Sequence, residues 1–153
     1  MVDTKFGKDA EDRIRTWLDR PELGYCIDRT HDQMSGFYGS KNVSDFTLFK
    51  KPNFYYIESK ATTHDRFEFN QLTDYQRDEM YKRSKVDGVS GKVIVLFVAY
   101  QRAFIFDIAD IVESGIKSVN IKKLDKWTIP AVEIKTIPSR KKLLDYDPES
   151  IPF

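Results

Sequence analysis

Val43-Ser-Asp-Phe-Thr-Leu-Phe49 and Phe54-Tyr-Tyr-Ile-Glu-Ser-Lys60 decide how this chain folds. Both segments are aromatic and alternating, and Lys50-Lys51-Pro52-Asn53 between them has turn chemistry, so together they predict a β-hairpin. Side chains of an extended strand alternate between faces. Tyr56, Glu58 and Lys60 therefore share one face, and Tyr55, Ile57 and Ser59 the other. Glu58 and Lys60 project together near the strand's end, and Asp45 on the preceding strand is the natural second carboxylate.

Working outward, Ala10, Ile14, Trp17 and Leu18 fall on one side of a helix from about Gly7 to Asp19, stopped by Pro21 and Gly24. Glu11 lies beside that apolar stripe and could point toward the sheet. Tyr25-Cys26-Ile27 reads as a short strand, and Asp32 to Asn42, with its Gly, Ser and Asn, as a loop. Beyond the hairpin, Leu72 to about Lys85 predicts a second helix with Leu72, Tyr75, Gln76, Glu79, Met80 and Arg83 on one side, ended by Asp87-Gly88 and Gly91. Lys92 to Tyr100 predicts a buried strand that turns through Gln101-Arg102 into Ala103 to Asp107. A short helix follows, with Ile108, Ile111 and Val112 as its apolar face, then a last strand near Ala131 to Lys135. The order implies an α/β fold, one domain over 1–153 with a mixed central sheet flanked by helices, and a looser tail at 145–153.

Composition narrows the function. The 25 Lys+Arg and 24 Asp+Glu nearly cancel, which argues against holding nucleic acid by bulk charge and leaves room for a local basic face beside an acidic site. The bases do cluster, at Lys50-Lys51, Lys82-Arg83-Lys85, Lys122-Lys123-Lys126 and Arg140-Lys141-Lys142. No apolar run reaches the roughly 18 residues of a membrane helix, so no membrane partner is expected. The N-terminus is charged from the start, without the apolar core of a secretory signal, and the single Cys26 cannot form an internal disulfide. Both point to the cytoplasm. One Cys and two His leave little for a zinc site, so any metal would sit on carboxylates and be a hard ion such as magnesium or manganese.

A carboxylate beside an ammonium, with a second carboxylate on the next strand, suits metal-assisted hydrolysis. The tripeptide acid-x-Lys alone says little, since Asp3-Thr-Lys5 and Glu133-Ile-Lys135 also fit it. Only Glu58-Ser59-Lys60 ends an aromatic strand whose hairpin partner bears an acid.

Ser44-Asp45-Phe46 followed by Tyr56-Ile57-Glu58-Ser59-Lys60-Ala61-Thr62 resembles the PD-(D/E)xK nuclease motif, and in detail that of the RecU-type Holliday junction resolvases, also known as penicillin-binding protein-related factor A. Gly7-Lys8 with Glu11 is similar to that family's N-terminal Gly-Lys…Glu. Phe67 to Leu72, with Asp74, Gln76 and Met80, resembles its helix after the catalytic strand, and Arg140 to Tyr146 its basic ending. The resemblance implies a restriction-endonuclease-like fold and a phage or prophage resolvase. In it Glu11, Asp45 and Glu58 would bind Mg2+ or Mn2+, Lys60 would serve the water, and Gln76 would help position metal, water or phosphate. It also implies a homodimer, paired nicks in branched DNA and no small-molecule cofactor.

One departure stands out. The family carries a long stalk before the catalytic aspartate, whereas Tyr25 to Asp45 spans only 20 residues here. Phe37 and Tyr38, between Gly36 and Gly39, read either as base-stacking residues or as core. Arg29 reads as a phosphate contact or a surface charge, and Lys82, Arg83, Lys85, Arg140 and Lys141 as backbone contacts to DNA. Two rival readings remain open: a flap or duplex nuclease without junction preference, and an inert DNA-binding module.

Overall fold

The chain's structure is a computed structural model that describes residues 4–30, 41–137, 145–146 and 150–153. Phe37, Tyr38, Arg140 and Lys141 lie outside the described residues, as does most of the loop expected at Asp32 to Asn42. The predicted hairpin forms. β2 (Phe46–Lys50) pairs antiparallel with β3 (Asn53–Thr62), Phe46 opposite Ile57 and Lys50 opposite Asn53. β1 (Cys26–Arg29) adds to the outer side of β2.

On the other side β3 runs parallel to β5 (Val89–Phe97). A parallel pair needs a crossover, and α2 (Asp74–Ser84) lies within it. β6 (Arg102–Asp107) and β8 (Val132–Ile134) continue the sheet antiparallel, giving the order β1-β2-β3-β5-β6-β8. α1 (Thr4–Leu18) covers one face, while α2 and α3 (Ile108–Ser114) cover the other.

Two covered faces explain why Val93 to Phe97 is apolar without a break. Ile94 and Leu96 join α1's Ala10, Ile14, Trp17 and Leu18 together with Tyr55 and Ile57. Val93, Val95 and Phe97 join Met80, Phe104, Phe106 and Ile108 on the opposite side. All four apolar residues expected on the first helix are buried, and so is Met80, though α2 starts two residues later than Leu72 because Thr73 caps it.

Three features depart from the sequence reading. β5 begins at Val89, so Gly91 lies inside a strand and does not precede it. A second, two-stranded sheet joins β4 (Arg66–Glu68) to β7 (Ser118–Asn120), each contributing one buried side chain, Phe67 and Val119. At the C-terminus, where a looser tail was expected, residues 150–153 bury Ile151 and Phe153 in the α1-side core. The Phe153 ring packs 4.6 Å from that of Tyr55, and apolar surface of this size is better covered than solvated. Among the described residues no helix is long and apolar enough to cross a membrane.

The outermost strand is clamped by a bidentate pair, Arg102 Nε to Glu133 Oε1 at 2.6 Å and Nη2 to Oε2 at 2.9 Å. The Arg102 guanidinium holds the Glu133 carboxyl below its usual range. A depressed carboxyl stabilises the fold above its unfolded pKa, and the contribution disappears as pH falls through the folded value. Because both side chains are 37% exposed, Arg102→Met should cost less than about 1 kcal/mol at pH 7. Urea melts of the two proteins should converge at acid pH; a gap that persists there would contradict this.

Candidate active site

Glu58 and Lys60 lie on the face of β3 that α2 covers. One step past the pair Phe46–Ile57, the antiparallel register sets Asp45 opposite Glu58. The chain entering β2 is fixed from its neighbour: Thr30 Oγ1 donates to the carbonyls of Ser44 (2.7 Å) and Asp45 (3.0 Å), and Thr30 N–H donates to Asp45 O at 2.8 Å. Ser44, 1% exposed, closes the corner by donating to Phe46 O. Asp45 Oδ2 accepts the Ser59 N–H at 2.9 Å.

Glu58 is 2% exposed and held at both oxygens. Oε1 lies 3.6 Å from Lys60 Nζ, and Oε2 accepts from Gln76 Nε2 at 2.9 Å. Burial drives the Glu58 pKa well above the usual carboxylate range, the Asp45 charge adds to the shift, and the Lys60 ammonium opposes it. Glu11 reaches the same region from α1 and pairs with Arg29 at 2.6 Å. Burial raises its pKa as well, with Asp45 again contributing and Arg29 offsetting. Asp45 thus acts electrostatically on both glutamates.

Gln76 is the third residue of α2, in a capping box with Thr73. Thr73 Oγ1 accepts the Gln76 N–H at 3.1 Å, and Gln76 Oε1 accepts the Thr73 N–H at 3.2 Å. A cleft of about 550 Å³ opens beside the cluster, lined by Lys41, Asn42, Asp45, Thr73, Tyr75 and Gln76 among others, with Lys41 Nζ 5.6 Å from the centre of the Tyr75 ring. A second cleft, of about 540 Å³ between α3 and the β4–β7 sheet, contains none of the clustered residues.

These residues fit a hard divalent cation. The buried Glu58 faces the half-buried Asp45, and the repulsion between them is only partly offset by Lys60, which is the situation a cation relieves. Among the described residues no three acidic, His or Cys side chains already converge on one point: Glu11 is turned to Arg29 and Asp45 to the Ser59 amide. Asp45 and Glu58 are the pair that could hold the ion, with Glu11 joining on release from Arg29.

The structure therefore brings Glu11, Asp45, Glu58, Lys60, Gln76 and Arg29 together. It does not do so for the basic block at the end of α2, where Lys82, Arg83 and Lys85 follow Gln76 by six, seven and nine positions, roughly 9–14 Å along the helix axis. Arg83 is engaged by Tyr56 (2.9 Å) and Glu79 (3.3 Å), and Lys85 by Glu113 (3.2 Å) and the Tyr81 ring; Lys82 is exposed. Thr73, Lys41 and Tyr75 are site neighbours that the sequence reading passed over. Thr73-x-x-Gln76 is a capping-box signature and would have found Thr73; Tyr75 shares the predicted helix side with Gln76, and Lys41 carries no such signal.

The profile of the family described as Recombination protein U matches residues 26–147, well over half of the chain. No curated protein sequence matches significantly. Among solved structures, the Holliday junction resolvase Hjc of Archaeoglobus fulgidus shares the fold at TM-score 0.54 and 11% identity, over 76% of this chain and 89% of that one. The bacterial homing endonuclease I-Ssp6803I aligns at TM-score 0.48 and 11% identity, over 85% and 83%. The six-stranded mixed sheet has the restriction-endonuclease-like fold, and the profile match covers residues 26–147: the chain belongs to the Recombination protein U family.

Proposed function

We propose that this protein is a metal-dependent endonuclease that resolves four-way DNA junctions by paired, symmetric nicks. The observation that carries the reading is the buried Glu58, facing Asp45 and held between Lys60 and Gln76, in a chain of this family. Asp45 and Glu58, with Glu11, would hold Mg2+ or Mn2+. When bound, the cation supplies Lewis-acid polarisation of the scissile phosphate and lowers the pKa of water.

The protein's own groups do the rest. Lys60 Nζ, 3.6 Å from Glu58 Oε1, would hold the attacking water and offset the negative charge that grows on the phosphate oxygens. The water oxygen bonds to phosphorus and gives up a proton to solvent as the bond to the 3′ oxygen breaks; that oxygen takes a proton from solvent, leaving a 5′-phosphate and a 3′-hydroxyl. Gln76 holds Glu58 in place. Losing one such charge-stabilising group costs roughly 10²–10³ in rate. Two nicks in one junction require two such sites, so the working form is a homodimer acting on DNA in the cytoplasm.

The test is cleavage of a synthetic four-way junction beside matched flap and linear duplex, with magnesium, manganese or a chelator. Paired symmetric nicks in the junction alone, abolished by the chelator, are expected. Equal cutting of all three substrates would favour the flap or duplex nuclease, consistent with the short segment between Tyr25 and Asp45. Tight binding without cutting under any metal would leave only a binding module.

A further inference from the structure

The side-chain amide of Gln76 is held at both ends. Its Oε1 accepts the Thr73 N–H at 3.2 Å while its Nε2 donates to Glu58 Oε2 at 2.9 Å. An amide offers one acceptor and one donor end. Turned over, it would set NH2 against the Thr73 N–H and a carbonyl oxygen against the Glu58 carboxylate, so both bonds would be lost together. The backbone of Thr73 therefore fixes which end of Gln76 meets Glu58.

We propose that Thr73 is a positioning residue of this active site: through its N–H it holds Gln76 as an obligate donor to Glu58, and so sets the direction of the Glu58 carboxylate. The inference rests on the nuclease reading above and gives Gln76 a narrower role than the resemblance does. With its oxygen engaged by Thr73 and its nitrogen by Glu58, Gln76 acts first through the Glu58 carboxylate. α2 itself buries only Met80, and its first turn is held by the buried Leu72 just before it together with this box. Small displacements at a carboxylate that orients the reacting groups carry large rate penalties.

A helix cap alone would explain the box as well, and backbone geometry separates the two roles. Thr73 has φ −66° and ψ 154°, and Leu72 before it has φ −70° and ψ 131°. Proline fits the first, and the residue before a proline prefers the second. Thr73→Pro removes the hydroxyl and the N–H; Thr73→Val removes only the hydroxyl. Both lose the cap that Thr73 Oγ1 gives the Gln76 N–H, and they differ in the hydrogen bond to Gln76 Oε1.

The experiment compares wild type, Thr73→Ser, Thr73→Val and Thr73→Pro in three readouts. These are single-turnover cleavage of a junction at saturating protein, junction affinity in chelator, and the side-chain amide NMR signals of Gln76 in metal-free protein. Expected are a wild-type rate for Thr73→Ser and a loss within about threefold for Thr73→Val. Thr73→Pro should lose tenfold or more, with junction affinity within twofold and the Gln76 amide exchanging like a free glutamine. Equal rates for Thr73→Val and Thr73→Pro, or an unchanged Gln76 amide in Thr73→Pro, would overturn the proposal. If Thr73→Pro does not fold, Gln76→Asn carries the test, since an amide one methylene shorter cannot span both partners: a wild-type rate overturns the proposal and a tenfold loss supports it. Failure of wild type to cut any substrate would refute the nuclease reading, while the amide signals still report on the lock.

Discussion

Glu58→Gln should abolish junction cleavage and at the same time make the metal-free protein more stable. The carboxylate is 2% exposed and faces Asp45, and its ion-pair partner, the Lys60 ammonium, lies 3.6 Å away. Its raised pKa says that the fold disfavours the charged form. A neutral amide of the same shape removes that penalty, can still accept from Gln76, and can donate toward Asp45. Lys60, 22% exposed at its side chain, can turn to water. Removing a charge that burial and Asp45 both disfavour should raise the stability of the metal-free protein, whereas the rate should fall by at least about 10²-fold. Urea melts and a cleavage gel measure both. Manganese should raise the melting temperature of wild type and not that of Glu58→Gln, because only a site that binds the ion in the folded state gains from it. A variant that is less stable and still cuts would contradict the placement of Glu58 as a strained, functional carboxylate.

Gly91→Ala should destabilise the fold strongly for so small a change. A Cβ added at Gly91 would sit 2.6 Å from Ile108 Cγ2 and 3.2 Å from both Ile108 Cβ and Met80 Cε. Met80 and Ile108 are fully buried, and they anchor α2 and α3 on this face of the sheet. Met80 Cε, the end of a flexible side chain, can turn aside, but Ile108 Cγ2 is bonded directly to Cβ and cannot retreat without moving α3, and overpacking of this kind costs about 1–3 kcal/mol. In a chain of this size that corresponds to roughly 2–4 °C of melting temperature per kcal/mol. Any outward shift of α2 also moves Gln76 off Glu58, so cleavage should fall along with stability. Ile108→Ala, which removes the clashing methyl, should give back part of the loss in the double variant, read as a positive coupling in a double-mutant cycle. A Gly91→Ala protein as stable as wild type would show that the two helices sit on the sheet with slack.

The parts of this fold that could be read from the sequence are those where one physical pattern dominates. Ala10, Ile14, Trp17 and Leu18 repeat at helical spacing and all are buried, because α1 packs one face on the sheet. The hairpin is legible because its two strands alternate around Lys51-Pro52, and its register then puts Asp45 against Glu58. β4 and β7 are three residues each with a single buried side chain apiece, too short for any period to show. Gly91 reads as a breaker because glycine usually ends helices, yet here the close approach of Ile108 requires it. Leu72 is in phase with α2 and so predicts a longer helix, but the Thr73 hydroxyl takes the Gln76 N–H and starts the helix after it. Charge clustering misleads in a similar way. Lys82, Arg83 and Lys85 look like one basic face in the sequence, but Glu79 and Glu113, supplied by α2 and α3, answer two of the three. No local pattern announces a partner that tertiary packing brings from 28 residues away.

The central claim is that Lys60, fixed beside Glu58, serves hydrolysis of the phosphodiester bond. Single-turnover cleavage of an end-labelled four-way junction by wild type and Lys60→Ala, at protein concentrations where both bind fully, tests it most directly. The account predicts metal-dependent cutting by wild type and a rate at least about 10²-fold lower in Lys60→Ala with affinity retained. Cutting by Lys60→Ala at the wild-type rate would contradict it.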